Sequence, residues 1–600
     1  MKKQLLLLSI IVIANFSQSQ TYQWDWAQSG GGTQSVTTSG SSFDFGDFER
    51  VTSIKVDNNN NYYFLAISGG GTSTFEGVPY TNYEDTPSGG DIFLFSTTCD
   101  GVFRWKKTIG STDNDRAFSV AVDSNNNIYV AGRNGPFIDA TNNPIRFDTD
   151  VVLNNSTGPS GTGEQHRAPY IIKYSDQGIY QWLYFPQDPS FTTSNSPTAS
   201  YEMFVDSMGN SHWLMAINQG THDSGNIVVT DPFQWIILKV DTAGNYVGHI
   251  DAKIGGGVDF DTIRFHYDEL LDRYYLGLTS ASISNRITYD NVIAVGFMSL
   301  IAVDNTGNQI WRKDNLQGGF LRDIITDDQS NIYFCGMNNN VDSSMSGAPN
   351  DSMAGYSFTQ SSTSSGNGVP ANFLIKLNAA GNLLWGTNND SFAVEPAHTI
   401  VLNGNEVAIG AALIDTTWAG LSFVRGNNSN YDPVVVRFNA STGSIIAIED
   451  IRGDIGLEDS ITAIALDNFG NYVVGGYMRG NLFVNNDPNV PQINKTGGNA
   501  DFWIARLAQT DCQGVPLSIE ENIESGFKLY PNPASDRVQI EALGNTVLIG
   551  YNIYSITGQL VQHGSTSESA VYINDLTAGM YLIEILGEGD TKEVIKLIKK

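Results

Sequence analysis

The stretch SVAVDSNNNIYVAG, Ser119 to Gly132, decides the fold: apolar residues alternate on either side of a run of Asp, Ser and Asn. Alternation of period two marks a strand with one buried face, and Asp, Asn and Gly supply the positive φ that a tight hairpin turn needs. The plan recurs in SIKVDNNNNYYFLA from Ser53, MFVDSMGNSHWLMA from Met203, DIITDDQSNIYFCG from Asp323, HTIVLNGNEVAIG from His398 and AIALDNFGNYVVGG from Ala463. IRFHYDELLDRYYLG from Ile263 is a degenerate seventh copy.

A second hairpin follows each copy: an apolar strand, a turn closing on Gly, and a strand that usually carries Trp. DIFLFSTTCDGVFRW (Asp91 to Trp105), PYIIKYSDQGIYQW (Pro169 to Trp182), MSLIAVDNTGNQIW (Met298 to Trp311) and NFLIKLNAAGNLLW (Asn372 to Trp385) are the clear cases. QWIILKVDTAGNYVG from Gln234 and DPVVVRFNASTGSIIA from Asp432 keep the plan without Trp. The copy DFWIARLAQTDCQG from Asp501 stops one strand short, while TYQWDWAQSG from Thr21 is a strand too many at the other end. A single four-strand unit cannot bury both faces, and an unpaired sheet edge exposes backbone donors and acceptors. The spare strand therefore belongs beside Asp501–Ala508, closing a ring. The expected fold is all-β: a seven-bladed β-propeller over 21–514, closed by the 21–30 strand.

The turn residues Asp57, Asp123, Asp206, Asp268, Asp327, Asn403 and Asp467 are about 68 residues apart, more than the roughly 40–50 of common propeller repeats. The excess lies in Gly/Ser/Asn-rich insertions, among them Ser68–Gly90, Asn134–Arg167 and Asn338–Pro370. Acids recur eight residues before the turn position at Glu49, Asp115, Glu395 and Asp459, with Asp261 seven before Asp268. That periodicity predicts a repeated structural job, bonding loop amides at each blade entrance; a calcium-binding acidic rim is the alternative. The Asp/Asn runs lack the Gly and Glu positions of a helical calcium hand, so turn formation is the expected role and no cofactor is implied.

Lys2, Lys3, an apolar run from Leu5 to Ala14 and small residues near Gln20 read as an export signal over 1–20. The run is too short to span a bilayer, and no later segment qualifies. The chain carries a net charge of −30, or −32 without the two leader lysines. Such a surface repels phosphate backbones, which excludes a nucleic-acid partner. Cys99 and Cys512 lie in equivalent turns of the first and seventh repeats, neighbours in a closed ring; export permits a disulfide between them, against which stands the narrow Cα separation a bridge requires of turns in adjacent blades. Cys335 sits in an apolar strand and reads as an unpaired core residue.

Beyond the repeats, 515–525 is a polar, acidic linker, and 526–600 reads as about seven short strands. Leu529-Tyr530-Pro531-Asn532-Pro533 with Asp536, the Tyr554–Gly558 turn, Leu576–Tyr581 with Gly579, and the basic-apolar end with Lys596 and Lys599 occur in that order. These motifs resemble the type A C-terminal sorting domain of the type IX secretion system. The resemblance implies a small β-sandwich, recognition by the outer-membrane secretion machinery of a Gram-negative cell, and delivery to the cell surface or the medium. The repeats more loosely resemble quinoprotein-like and related bacterial propellers, which speaks to fold and not to activity.

No His-Glu-x-x-His, nucleophile elbow, phosphate loop or dinucleotide fingerprint occurs, and the seven histidines are scattered. The Trp series at 26, 105, 182, 311 and 385 follows the repeat and predicts packing between blades. Trp418 lies outside that register; local packing is its first reading and an exposed contact its second. The function these features suggest is a monomeric, non-catalytic binding or adhesion module for a protein or glycan, working through one rim and its insertions. The alternative is an extracellular polysaccharide hydrolase or lyase whose acids, Asp259 and Asp261 among them, meet only in three dimensions.

Overall fold

The computed structural model describes residues 22–514 and 527–600, apart from 37–48, 84–88, 112–114, 135–143, 154–168, 187–198, 260–261, 283, 316–318, 339–351, 359–370, 391–396, 425–430, 455, 486–489, 543–546, 556–557, 566–568 and 589–591. The export signal, the 515–525 linker, Asp261 and Glu395 thus lie outside the described residues. The chain divides into two units, one within 21–517 and one ending at Lys600.

The larger unit is a seven-bladed β-propeller. Its blades are antiparallel four-stranded sheets whose innermost strands are Arg50–Val56, Arg116–Val122, Ala199–Val205, Arg264–Asp268, Gly319–Thr326, Thr399–Asn403 and Ser460–Leu466. The seventh blade takes Ser460–Leu466, Tyr472–Met478 and Asp501–Ala508 from the end of the repeat region and Gln23–Gly31 from its start. Gln23 faces Ala508 and Gly30 faces Phe502 in the closing pair. The last sheet thereby receives its fourth strand from the start of the repeat region, and Asp501–Ala508 is not left as an edge.

The turn chemistry read from the sequence takes one form in five of the seven blades, while Asp268 accepts from Leu270 and Leu271 instead. Asp57 accepts N–H bonds from Asn59 and Asn61, both 2.8 Å, and the same pattern recurs at Asp123, Asp206, Asp327 and Asp467. A carboxylate that satisfies two backbone donors closes the turn locally.

Contacts between blades come from the Trp series. The indole N–H groups of Trp26, Trp105, Trp182, Trp311 and Trp385 donate to the carbonyls of Cys99, Asp176, Thr242, Ala379 and Ala440 in the next blade, at 2.8–3.1 Å. Each ring lies on the glycine that ends that turn. A Cβ on Gly101, Gly178, Gly244, Gly381 or Gly443 would sit 2.6–3.1 Å from the indole, and all five glycines have positive φ. The Gly and the Trp of this half-repeat are therefore two sides of one joint. Trp418 is buried outside the series, with its N–H on Thr387 Oγ1 at 3.0 Å and its ring against Phe438.

The insertions between half-repeats form hairpins in their described parts. Ser73–Phe75 and Val78–Tyr80 extend the seventh sheet beyond Gly31, and Ile145–Phe147 with Val151–Leu153 extends the first beyond Gly110. Each insertion thus clasps the outer strand of the preceding blade. Cys99 and Cys512 are joined by a disulfide with Cα atoms 5.7 Å apart, and Cys335 is a buried free thiol.

The smaller unit has two sheets, Phe527–Tyr530, Arg537–Ala542 and Ala570–Tyr572 in one, and Leu560–Gly564, Leu548–Ser555, Gly579–Gly587 and Lys592–Lys599 in the other. Val538, Ile540, Ile553, Val571, Ile583, Ile585 and Leu597 fill the layer between them.

The joint between blades makes a graded prediction. Gly178 and Gly77 both have φ of +72°, but only Gly178 faces an indole, with Gly77 in open space. Gly178→Ala should cost about 1–2 kcal/mol of backbone strain plus a further ~1–3 kcal/mol of overpacking, and Gly77→Ala the strain alone. Melting temperatures of the two variants check the ordering. Replacing Cys99 and Cys512 by Ala should lower stability by roughly 2–5 kcal/mol, the usual range for a native bridge.

Candidate functional site

The inner strands of all seven blades enclose a cavity of about 220 Å³ on the propeller axis. In five blades the inner strand slips register against its neighbour at one and the same place, between Val51 and Ser53, Ala117 and Ser119, Ser200 and Met203, Leu321 and Asp323, and Ile461 and Ala463. A bulge re-aims the side chains beside it, and here it presents Thr52, Phe118, Tyr201, Arg322 and Thr462 to the cavity.

The residue four before each turn position is the second element of the wall. Ser53 accepts the Val120 N–H at 3.3 Å, Ser119 that of Met203 at 3.1 Å, Glu202 that of Phe265 at 2.6 Å, and Asp323 that of Ile400 at 2.9 Å. Arg264 works in the opposite sense, its Nε donating to the Arg322 carbonyl at 2.5 Å, and Thr462 donates to the Val51 carbonyl at 2.5 Å. Every bond runs from one blade to the next. Between the sixth and seventh blades, Asn403 Nδ2 reaches the Gly470 carbonyl at 2.8 Å. A belt of polar side chains therefore ties neighbouring blades around the axis.

Charge in this wall is dense. Arg50, Lys55, Arg264 and Arg322 line the cavity with Glu202, Asp323 and His398. Arg264 Nε lies 3.9 Å from Glu202 Oε1. Burial pushes the Glu202 carboxyl up to about 7; Arg264 opposes the shift and Asp323 adds to it. Burial likewise raises Asp323 to about 6 against the pull of the Ile400 and Ile324 N–H groups. His398 is held well below the usual imidazole range by burial, then by Arg322, Arg50 and Arg264. His266 is lowered to about 3 by burial and then by Lys55.

The periodic acids lie apart from this cavity. Glu49 accepts the N–H groups of Gly32, at 2.9 Å, and of Gly69, at 2.6 Å. Asp115 accepts that of Ser111 at 2.6 Å, and Asp459 that of Arg479 at 2.6 Å. Each acid fastens a chain segment by accepting at least one backbone N–H, the structural job that its periodicity predicts. Asp259 is absent from the cavity wall, and its carbonyl receives the Thr262 N–H at 3.2 Å.

In the smaller unit the motif residues have distinct tasks. Asn532 Oδ1 accepts the Ile598 N–H at 2.8 Å, and Asn532 Nδ2 donates to the Lys596 carbonyl at 2.5 Å, which pins the last strand. Tyr581 is buried and donates to the Thr577 carbonyl at 2.9 Å. Gly558 takes φ of +80° in its turn, and Asp536 receives the Ile573 N–H on its carbonyl. Tyr530 stays 45% exposed, which leaves its ring available at the surface. Both Tyr530–Pro531 and Asn532–Pro533 are cis.

Residues 528–600 match the secretion system C-terminal sorting domain. The protein carrying this domain is exported by the type IX system to the cell surface or beyond, and no helix among the described residues is long and apolar enough to cross a membrane. The propeller has looser likenesses. A 92-residue stretch is 32% identical to an uncharacterized WD repeat-containing protein of Acanthamoeba polyphaga mimivirus, over 15% of this chain and 6% of that protein. Among solved structures, quinohemoprotein alcohol dehydrogenase from Comamonas testosteroni is 10% identical, covering 86% of this chain and 79% of that one with a TM-score of 0.32. Trypanosoma rangeli sialidase is 7% identical over 92% and 84%, TM-score 0.31. PorZ, a surface component of the type-IX secretion system of Porphyromonas gingivalis, is 11% identical over 95% and 100%, TM-score 0.18.

Neither the bulge nor the belt was anticipated from the sequence, although one signal was present. The residue four before each turn position is Ser53, Ser119, Glu202, Arg264, Asp323, Thr399 or Ala463, polar in all but the last. A polar residue kept at one register of an otherwise apolar strand marks a wall position.

The raised Glu202 carboxyl has a definite sign in stability. Its folded value of about 7 exceeds the ordinary 4.5, so the folded state keeps a proton that the unfolded chain has lost. That contribution is fully present below about pH 4.5 and is lost as pH rises through about 7. Glu202→Gln retains an acceptor for Phe265 and removes the titration. The variant should gain stability relative to the wild type between pH 4.5 and 8, and paired thermal melts across that range check it.

Proposed function

We propose that the protein is a non-catalytic binding module, displayed at the cell surface or released, that engages a protein or glycan through the rim of the propeller at the starts of the inner strands. The observation that carries this reading is the bonding of Glu202 and Asp323, the two carboxylates of the cavity. Each accepts a backbone N–H from the adjacent blade. A general acid or base must be free to exchange a proton with substrate, whereas these groups are built into the wall that holds the blades together. The periodic acids Glu49, Asp115 and Asp459 also accept backbone N–H groups and lie outside the cavity wall.

The insertions support the same end of the ring. Those of the first, second, fifth and sixth blades leave from the end of the second strand, next to the starts of the inner strands that carry Arg50 and His398. Concave sites framed by chain from several blades are where such scaffolds hold ligands. The sorting domain delivers this surface to the outside of the cell, where polymeric glycans and other surface proteins are the available partners.

A glycan array run beside polysaccharide-degradation assays tests the proposal. Saturable binding without turnover is expected, and turnover of a bound polymer would replace the reading with a hydrolase or lyase. Deleting 526–600 should leave the propeller folded but retained inside the cell, which fractionation and immunoblotting of cells against medium will report.

A further inference from the structure

We infer that the axial cavity is a binding site for one oxyanionic group, a carboxylate or a sulfate ester, at the end of a ligand. The inference rests on the binding-module reading and names its ligand class.

The cavity wall carries four cationic residues, Arg50, Lys55, Arg264 and Arg322, against two carboxylates, Glu202 and Asp323. The wall is therefore positive by two charges in a chain whose net charge is −30. Such a reversal is costly to assemble. Like charges gathered in a narrow concavity repel one another, and the field they make is focused there. Burial lowers Lys55 from its ordinary range, with Asp323 and Glu202 only partly opposing it.

Both carboxylates are tied to amides of the next blade, which limits their freedom to turn toward the cations. Arg264 holds the Arg322 and Ile263 carbonyls through Nε and Nη1, and the same Nε lies 3.9 Å from Glu202 Oε1. Lys55 keeps contact with the space that the seven inner strands enclose, while the surrounding wall still desolvates its ammonium group. Arginine from the first, fourth and fifth blades and lysine from the first thus line one enclosed space. An oxyanion in that space gains charge-assisted bonds of the kind guanidinium groups make best.

Size sets the rest. About 220 Å³ is below the roughly 300–1,000 Å³ of pockets that take drug-sized ligands. The space suits one acidic sugar residue or one sulfate group and not a length of polymer. Phe118, Tyr201, Phe204 and Ile263 provide an apolar part of the wall for the face of a sugar ring.

Titration calorimetry on the full chain, with glucuronate, inorganic sulfate and glucose as separate probes, tests this. Glucuronate or sulfate should bind at one site per chain and glucose should not. The stronger of the two anions identifies the source of the group. Lys55→Gln, at an exposed side chain, should leave the melting temperature unchanged and weaken the anion about 10-fold or more, as expected for loss of one charged hydrogen bond. Arg50→Gln should also weaken the anion about 10-fold or more. Absence of binding by both anions overturns the inference, as does binding indifferent to both substitutions in variants that melt like the wild type. If neutral glycans bind on the array and survive both substitutions, the cavity site falls while the binding module stands. Absence of any glycan or protein ligand removes both.

Discussion

Closure of the ring is the constraint on which the rest of the propeller depends. The strand Gln23–Gly31 is held by more than its ladder to Asp501–Ala508. Arg506, fully buried in the seventh blade, binds Asp25 of the closing strand at 2.6 Å and Asp467 of the turn at 3.0 Å. Trp24 reaches back to the Asp450 carbonyl of the sixth blade at 3.0 Å, and Trp26 forward to Cys99 of the first. A buried charge cluster is a poor source of net stability, but it penalises a misplaced partner heavily. Any other strand in this position would leave Arg506 with one carboxylate fewer. The cluster therefore fixes which strand closes the ring, and the Cys99–Cys512 bridge holds the same junction covalently.

With the ring closed, each blade meets two neighbours, and three bonded layers repeat around the axis. The outer layer is indole on turn glycine, the inner one is the belt from Ser53 to Thr462, and the periodic acids form a third at the strand ends. The layers differ in what they can spare for a ligand. The indoles are consumed by their bonds, and the acids lie outside the cavity wall. The belt faces open space, so its members hold the blades and shape a cavity at once. That double use accounts for charged residues on strands that are otherwise apolar.

The outer layer was legible in the sequence and the inner one was not, for a physical reason. Trp105 and Gly178 advertise themselves because an indole and a positive-φ glycine are rare residues at fixed spacing. Closure was legible for the same kind of reason, since TYQWDWAQSG carries the repeat's own Trp where no repeat precedes it. The cavity depends instead on a bulge, and a bulge is a choice of register between two strands that leaves no residue signature of its own. Period-two reading of SIKVD or DIITD assigns alternate faces correctly only up to the slip. Past it, Arg322 and Thr52 turn toward the axis. The histidines and acids that sequence motifs would recruit for chemistry were scattered along the chain, and those that meet, such as His398 with Arg322 and Arg50, come from separate blades.

The net charge and the cavity charge point to different partners, and distance reconciles them. At physiological salt an exposed charge is screened beyond about 8 Å, so the acidic exterior acts on whatever lies along the surface and much less on a group inserted at the axis. A polyanion laid across the propeller meets repulsion along its length. A ligand with one terminal oxyanion and an otherwise neutral body meets that repulsion only on approach. Inside the wall it finds two cations more than anions, in surroundings where water screens them poorly. The exterior thus selects against repeated charge while the axis selects for a single one, and the two together are narrower than either alone.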